Sequence, residues 1–305
     1  MTDFGLERLR AEAAERCYHC HTCTAGCPAA AAMDEGPDGV LRLIELGQIE
    51  RVLAGRDIWL CLGCGMCGAH CPNGIDAGQI MIALRQIAAE RGYRRDDCEA
   101  LREQLARDFE SRARSGALDA RLDRPAPTVD ERLCAGVARL NGLSRTVAGA
   151  HNVSGDDNAG RTIWSENLPH VPEGLVGQRG VELLYFVGCV GAFYPQSYRV
   201  PQSMARILEA AGADFTTLGG EEWCCGYPLL ALGESEAARR MARHNLARAR
   251  ELGAARLVTT CPSCYHMWTE IYPDLVGAEA AGEAGIEVLH ASELLAAWLD
   301  EGRLP

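Results

Sequence analysis

Hydrophobic and polar positions follow two different rhythms along the chain. In the C-terminal part, short apolar runs read as strands at 181–187 (VELLYFV), 214–218 (DFTTL), 256–260 (RLVTT) and 286–289 (IEVL). Segments of helical period lie between them at 202–211 and 234–252, the second closed by Gly253. A short helix is expected over 265–272, and Ser292-Glu293 opens a last one over 294–300. Strands alternating with helices at this length predict a parallel α/β sheet. The N-terminal part is helical instead. Residues 4–16 can form an amphipathic helix, and 38–54 carries Val40, Leu43, Ile44, Ile49, Val52 and Leu53 at helical spacing. Residues 78–92 place Ile80, Leu84 and Ile87 on one stripe of a further helix.

The cysteines fall at defined places in this pattern. Cys189, Cys224-Cys225-Gly226 and Cys261-Pro262-Ser263-Cys264 each follow a predicted strand. Thirty-four residues separate Cys189 from Cys224, and thirty-four separate Gly226 from Cys261. Parallel strands share one carboxyl edge, where ligands collect, so these five thiols should converge there. His290, at the end of the fourth run, belongs to the same edge and is a candidate proton donor. Such a lone histidine can equally be a structural hydrogen-bonding residue.

The strongest signal is an internal repeat. Cys17-x-x-Cys20-x-x-Cys23-x-x-x-Cys27-Pro28 returns as Cys61-x-x-Cys64-x-x-Cys67-x-x-x-Cys71-Pro72. A zinc site takes two cysteine pairs closed into one tetrahedral set. Three cysteines at three-residue intervals and a fourth before proline is the ferredoxin run, in which the fourth cysteine crosses to the other cluster. One cubane [4Fe–4S] cluster is then expected on Cys17, Cys20, Cys23 and Cys71, and the other on Cys61, Cys64, Cys67 and Cys27. A helix between the two motifs points to an α-helical ferredoxin domain over 1–95.

Residues 96–178 carry fewer signals. A charged helical segment, 97–122, runs into Pro125 and Pro127, and Thr128-x-x-Glu131 resembles a capping box that opens another helix. From 151 to 179 the composition turns to Gly, Asn, Asp and Pro, which reads as an extended connector on a domain surface. Cys98 and Cys134 have no cysteine neighbours and read as idle or buried thiols. The expected organisation is a ferredoxin domain at 1–95, a helical and extended connector at 96–178, and a cysteine-rich domain at 179–305. The fold class is α+β overall.

Charge and composition change the picture only at the margins. A net charge of −12 argues against nucleic acid as a partner, because a binding face needs an excess of Lys and Arg. Fifteen cysteines, an odd number, fit a closed disulfide framework poorly. The N-terminus is charged from Asp3 and has no apolar core, so it reads as no signal peptide. The longest uncharged apolar run, 183–194, is too short to span a bilayer. A cytoplasmic protein without direct membrane insertion is expected, in a compartment where clustered thiols serve metals.

Together, the repeat and the pattern Cys189…Cys224-Cys225-Gly226…Cys261-x-x-Cys264 resemble the heterodisulfide reductase family. Residues 1–95, with GPDGVLRLIELG and DIWLCLGCGMCGAHCPNGID, look like its small ferredoxin subunit, and 181–300 like one cysteine-rich CCG domain of its catalytic subunit. The resemblance implies a non-cubane [4Fe–4S] cluster on Cys189, Cys224, Cys225, Cys261 and Cys264, beside the two cubanes. It also implies a redox subunit that passes electrons through the cubanes to the non-cubane cluster, where a disulfide or related sulfur substrate is reduced. No stretch reads as a flavin or nicotinamide fingerprint, so a flavoprotein of the Hdr A-subunit type and other redox subunits are the implied partners. Two CCG motifs stand in the family's catalytic subunit, and one stands in this sequence. A homodimer, another subunit or a protein-borne thiol is the expected complement. An electron relay without its own substrate and a quinone-linked oxidoreductase subunit are the rival readings.

Overall fold

The computed structural model describes residues 16–91, 131–277 and 285–304, with the backbone alone over 131–140. The helices expected at 4–16 and 97–122, the Thr128 cap and Cys98 lie outside the described residues or at their margin, and nothing is described of the Cys134 side chain. Contacts divide the chain into two units, Met1–Gly142 with Ala231–Gly233, and Leu143–Leu230 with Glu234–Pro305.

The first unit is helical. Helices α1 (Gly36–Glu45), α2 (Ile49–Ala54), α3 (Asp57–Leu60) and α4 (Ala77–Glu90) surround a core of Val40, Leu41, Ile44, Leu53, Ile58 and Leu84. Each such aliphatic side chain, buried as fully as Ile44 at 1% exposure, contributes about 1.5–3 kcal/mol. The apolar period over 38–54 is real, but the backbone breaks between α1 and α2. Gly47 takes φ 72°, and the Gly47 and Gln48 amides turn back to the carbonyls of Ile44 and Leu43 at 3.0 and 2.8 Å. The break lets Val52 and Leu53 reach the same core that Ile44 fills. Asp57, 4% exposed, accepts from the amides of Asp34, Glu35 and Gly36 at 2.6, 2.8 and 3.1 Å. It satisfies donors at the start of α1 that the helix itself leaves unpaired.

The second unit is a four-stranded parallel sheet flanked by helices. Its strands are β1 (Leu183–Phe186), β2 (Phe215–Thr216), β3 (Arg256–Thr259) and β4 (Glu287–His290), in the order β2-β1-β3-β4. All four β1 residues are fully buried, as a parallel strand covered on both faces must be. The register aligns Phe186 with Thr259 and Thr259 with His290, so these strands end together. From β1 the chain moves to one side to form β2 and then crosses to the other to form β3. The carboxyl ends of β1 and β3 therefore flank a switch point, where parallel sheets open a crevice. The main crossover, helix α6 (Ser235–Leu252), ends on Gly253 at φ 68°, whose amide reaches the Arg250 carbonyl at 3.0 Å. Helix α7 (Pro262–His266) follows β3 and runs into a π turn over Met267–Ile271 before Tyr272–Val276. Pro273, which has no amide hydrogen and crowds the preceding turn, accounts for that widening.

The segment 151–179, expected as a surface connector, is built into this unit instead. It follows helix α5 (Glu131–Ala150) and forms a 3₁₀ stretch over Asn158–Ser165. Asn152, Arg161 and Trp164 are 0, 2 and 1% exposed. Thr217, just past β2, exchanges backbone hydrogen bonds with Leu175 and Gly177 at 2.7 and 3.0 Å. Polar residues dominate the segment because they satisfy buried backbone groups. The Asn152 amide alone bonds Ala150, Asp156, Asn158, Ser154 and Gly155.

Replacing Asp57 tests the N-terminal unit. Asp57→Ala should lower its unfolding free energy by about 2 kcal/mol, and Asp57→Asn by about half of that. Denaturant midpoints followed by far-ultraviolet circular dichroism read both; equal, negligible shifts would contradict the capping role.

Candidate metal centres

In the helical unit the eight repeat cysteines form two groups. Cys17, Cys20, Cys23 and Cys71 line one cavity of about 380 Å³, partly open to solvent. Cys27, Cys61, Cys64 and Cys67 line a second of about 370 Å³. The last cysteine of each run thus stands with the first three of the other. Cys17, Cys61, Cys67 and Cys71 also rest against the apolar core, which fixes their backbones.

The two runs share an unusual backbone. His19 and His21 have φ 54° and 62°, while Gly63 and Gly65, at the corresponding places of the second run, have φ 63° and 71°. Left-handed residues on both sides of Cys20 and of Cys64 fold the loop around the cavity. Glycine adopts them freely, whereas a histidine there costs about 1–2 kcal/mol. Hydrogen bonds offset that cost: His19 Nε2 donates to Glu45 Oε2 at 2.7 Å, and His21 Nδ1 to Asp38 Oδ2 at 2.6 Å. Asp38 is held in turn by the Thr24 hydroxyl and donates its own amide to it at 3.1 Å. Burial and the nearby Asp38 charge push the Cys23 thiol up to about 11, and burial also raises Cys61 and Cys67. The Thr22 hydroxyl lowers Cys20.

In the sheet unit the five remaining cysteines meet at the switch point. Cys189 begins a short helical turn after β1, Cys224 and Cys225 follow a turn beyond β2, and Cys261 and Cys264 open α7 after β3. Their side chains form one connected series, Cys189–Cys224–Cys225–Cys264–Cys261. Thiol hydrogen bonds from Cys224 and Cys264 bring Cys225 down to about 6, and Cys264 does the same for Cys261. Hydrogen bonding to those neighbours, with burial, pushes Cys189 and Cys264 well up. Gly188 has φ 78°, and a Cβ there would lie 3.2 Å from Cys264 Sγ, so only glycine lets β1 approach the thiols this closely. Asn245 and Tyr272 pin the Cys-Cys-Gly loop: Asn245 Nδ2 reaches the Trp223 and Cys224 carbonyls at 3.2 Å, and the Tyr272 hydroxyl donates to Cys225 O at 3.0 Å.

Sequence reasoning missed the groups that surround this edge. Glu222 is wholly buried and accepts from the amides of Val187 and Gly188 at 3.0 and 2.9 Å. Arg161 Nη1 pairs with Glu222 Oε1 at 2.7 Å, and Nη2 donates to Cys189 Sγ at 3.3 Å. Burial pushes the Glu222 carboxyl up, against the pull of Arg161 and both amides. Burial disfavours the Arg161 charge too, but Glu222 and Cys189 more than offset it, leaving its pKa above the usual value. Trp223 is sandwiched between His151 and His244 with ring centroids 3.5 and 3.7 Å away. The Cys224 amide donates to the His151 carbonyl at 2.7 Å. The available signal was local: Ile163 and Trp164 are isolated apolar residues in a polar stretch, and Glu222 stands two residues before Cys224.

His290 lies at the carboxyl end of β4, its ring edge-on to Tyr265, the residue after Cys264, with centroids 5.8 Å apart. It also caps the last helix, α8 (Ala291–Asp300), which begins three residues ahead of the expected 294: Nδ1 accepts from Ser292 N at 3.3 Å, and the His290 amide donates to Glu293 at 2.8 Å.

Two sets of four cysteines lining cavities, and a connected series of five at the sheet edge, have the donor chemistry of iron–sulfur ligation. Residues 16–76 match the 4Fe-4S dicluster domain family, and residues 183–269 match the cysteine-rich domain family, CCG. The chain joins a 4Fe–4S dicluster domain to a CCG domain. Over 95% of its length it is 23% identical to a dihydromethanophenazine:CoB--CoM heterodisulfide reductase subunit from Methanosarcina mazei, of which it covers 64%. The dicluster domain resembles a CoB--CoM heterodisulfide reductase iron-sulfur subunit from Methanopyrus kandleri, 32% identical over 26% of this chain and 41% of that one. EtfAB:quinone oxidoreductase from Syntrophomonas wolfei is 31% identical over 48% of this chain and 20% of its own. The chain spans less than two thirds of the Methanosarcina relatives it matches. Among the described residues, no helix is long and apolar enough to cross a membrane.

Gly65 offers a test of the dicluster backbone, because a Cβ there meets nothing within 4 Å and the cost of substitution is conformational alone. Gly65→Ala should destabilise the unit by about 1–2 kcal/mol, and Gly65→Asn by markedly less. Denaturant unfolding of the two variants reads the difference; equal costs would contradict the left-handed assignment.

Proposed function

We propose that the chain is an iron–sulfur redox subunit of the heterodisulfide reductase type, which takes electrons from a partner and delivers them to a disulfide or related sulfur substrate. The observation that carries this reading is the grouping of thirteen cysteines into two sets of four and one of five. In this reading Cys17, Cys20, Cys23 and Cys71 hold one cubane, and Cys27, Cys61, Cys64 and Cys67 the other. Cys189, Cys224, Cys225, Cys261 and Cys264 hold a non-cubane cluster. Bound there, the clusters supply one-electron transfer and, at the CCG edge, iron able to take a substrate sulfur.

The chain's own residues do the rest. Reducing an S–S bond takes two electrons and yields two thiols, so several centres on one chain answer the stoichiometry. Gly188 keeps the β1 edge clear of side-chain bulk beside Cys264. Ser292 N–H bonded to His290 Nδ1 leaves the proton of the neutral ring on Nε2, and no described residue hydrogen-bonds that atom. We assign the His290 Nε2–H as a hydrogen-bond donor that stabilises the departing thiolate. The partner is a flavoprotein of the Hdr A-subunit type, because a two-electron carrier must feed one-electron centres. The cysteine usage suits a reducing, cytoplasmic setting.

Similarity to EtfAB:quinone oxidoreductase over 149 residues favours a second reading, in which the chain relays electrons toward a quinone. The two readings differ in one measurement. In the first, adding a small thiol to the oxidised, anaerobically reconstituted chain changes the electron paramagnetic resonance signal of the CCG site and leaves the dicluster signals alone. An unchanged CCG signal, with a quinone analogue accepting electrons, would contradict it.

A further inference from the structure

The Arg161–Glu222 pair has no place in ligand sets made of cysteines, yet it is built into the CCG edge. Its guanidinium is fixed on every side. Nη1 holds Glu222 Oε1, Nε donates to Asn158 Oδ1 at 3.1 Å, the Phe193 ring lies 5.1 Å from its central carbon, and Nη2 points at Cys189 Sγ. Asn158 is anchored by the buried amide of Asn152 at 2.9 Å. Glu222, also 2% exposed at its side chain, grips the two amides at the end of β1. A charge held this way cannot swing out to solvent, and in a dry interior it acts on its neighbours with little screening.

We propose that Arg161 and Glu222 together set the reduction potential of the centre held at the CCG edge. Arg161 raises it through its hydrogen bond to Cys189 Sγ, and Glu222 limits that rise. Hydrogen bonds to ligand sulfur, net charge and burial are the protein's means of setting such potentials. A cationic N–H aimed at a thiolate sulfur stabilises the electron-rich state more than the oxidised one. The Glu222 charge, paired with the same guanidinium and bound to the amides just before Cys189, acts in the opposite sense. Arg161 is therefore a positioning and tuning residue, distinct from the cysteines that ligate. The inference rests on the reading of the CCG edge as an iron–sulfur site.

Opposite signs make the proposal testable. In full-length, anaerobically reconstituted protein, potentiometric titration followed by electron paramagnetic resonance reads each centre separately. R161M should lower the CCG potential by at least a tenfold change in the reduction equilibrium constant, about 59 mV for a one-electron couple. E222Q should raise it, and R161K, which keeps the charge but loses the fork geometry, should fall between R161M and wild type. The two dicluster potentials should stay put in all three. A purely structural pair would alter loading or stability and leave the potential of the loaded fraction unchanged. Potentials equal to wild type, or R161M and E222Q shifting in the same direction, would overturn the proposal. If R161M fails to fold, R161K and E222Q still carry opposite predictions. A wild-type chain with no signal that Cys225→Ser abolishes would defeat the CCG reading itself, an outcome distinct from unchanged potentials.

Discussion

One buried carboxylate ties the CCG edge together. Glu222 takes two amides from the end of β1, pairs with Arg161 from the 151–179 segment, and stands two residues ahead of Cys224 in the loop after β2. Three stretches far apart in sequence are thereby brought to one point, beside the switch between β1 and β3. Burying a charge is costly unless it is fully paired, and here every strong partner is supplied. Remove Glu222 and Arg161 is left charged among thiols, while the amides of Val187 and Gly188 lose their acceptor. The geometry of Cys189 depends on all of these.

The dicluster unit solves a related problem with backbone shape. Its two runs repeat both the cysteine spacing and the left-handed turns between cysteines, with glycines in one run and histidines in the other. Glu45 and Asp38, both on α1, hold the histidines, so the strained copy of the loop leans on the helix that separates the motifs. The glycine copy needs no such support. The difference gives the two cavities unlike surroundings: His19, His21 and Asp38 line one, while apolar side chains such as Met33, Leu62 and Met81 line the other, with Asp76 and Arg85 acting on its cysteines.

Much of this was legible in the sequence because it is written in short-range periods. The repeat announced the eight N-terminal cysteines, and runs such as VELLYFV and RLVTT announced a parallel sheet with five thiols on its edge. Gly253 marked the end of its helix from composition alone. What stayed hidden depends on contacts without a period. The Gly47 break between α1 and α2 looks like continuous helix, since Val52 and Leu53 keep the apolar rhythm. The 151–179 segment looks like a surface linker because its Asn, Asp and Gly residues serve buried backbone groups rather than water. Arg161 and Glu222 are sixty-one positions apart, and nothing in either neighbourhood signals the other.

If one chain assembles three separate iron–sulfur centres from thirteen cysteines, iron content reveals it most directly. Anaerobic reconstitution should saturate at about twelve iron atoms per chain, three four-iron centres, and Cys225→Ser should saturate at about eight. Wild-type protein that stops near eight, with Cys225→Ser indistinguishable from it, would contradict the account.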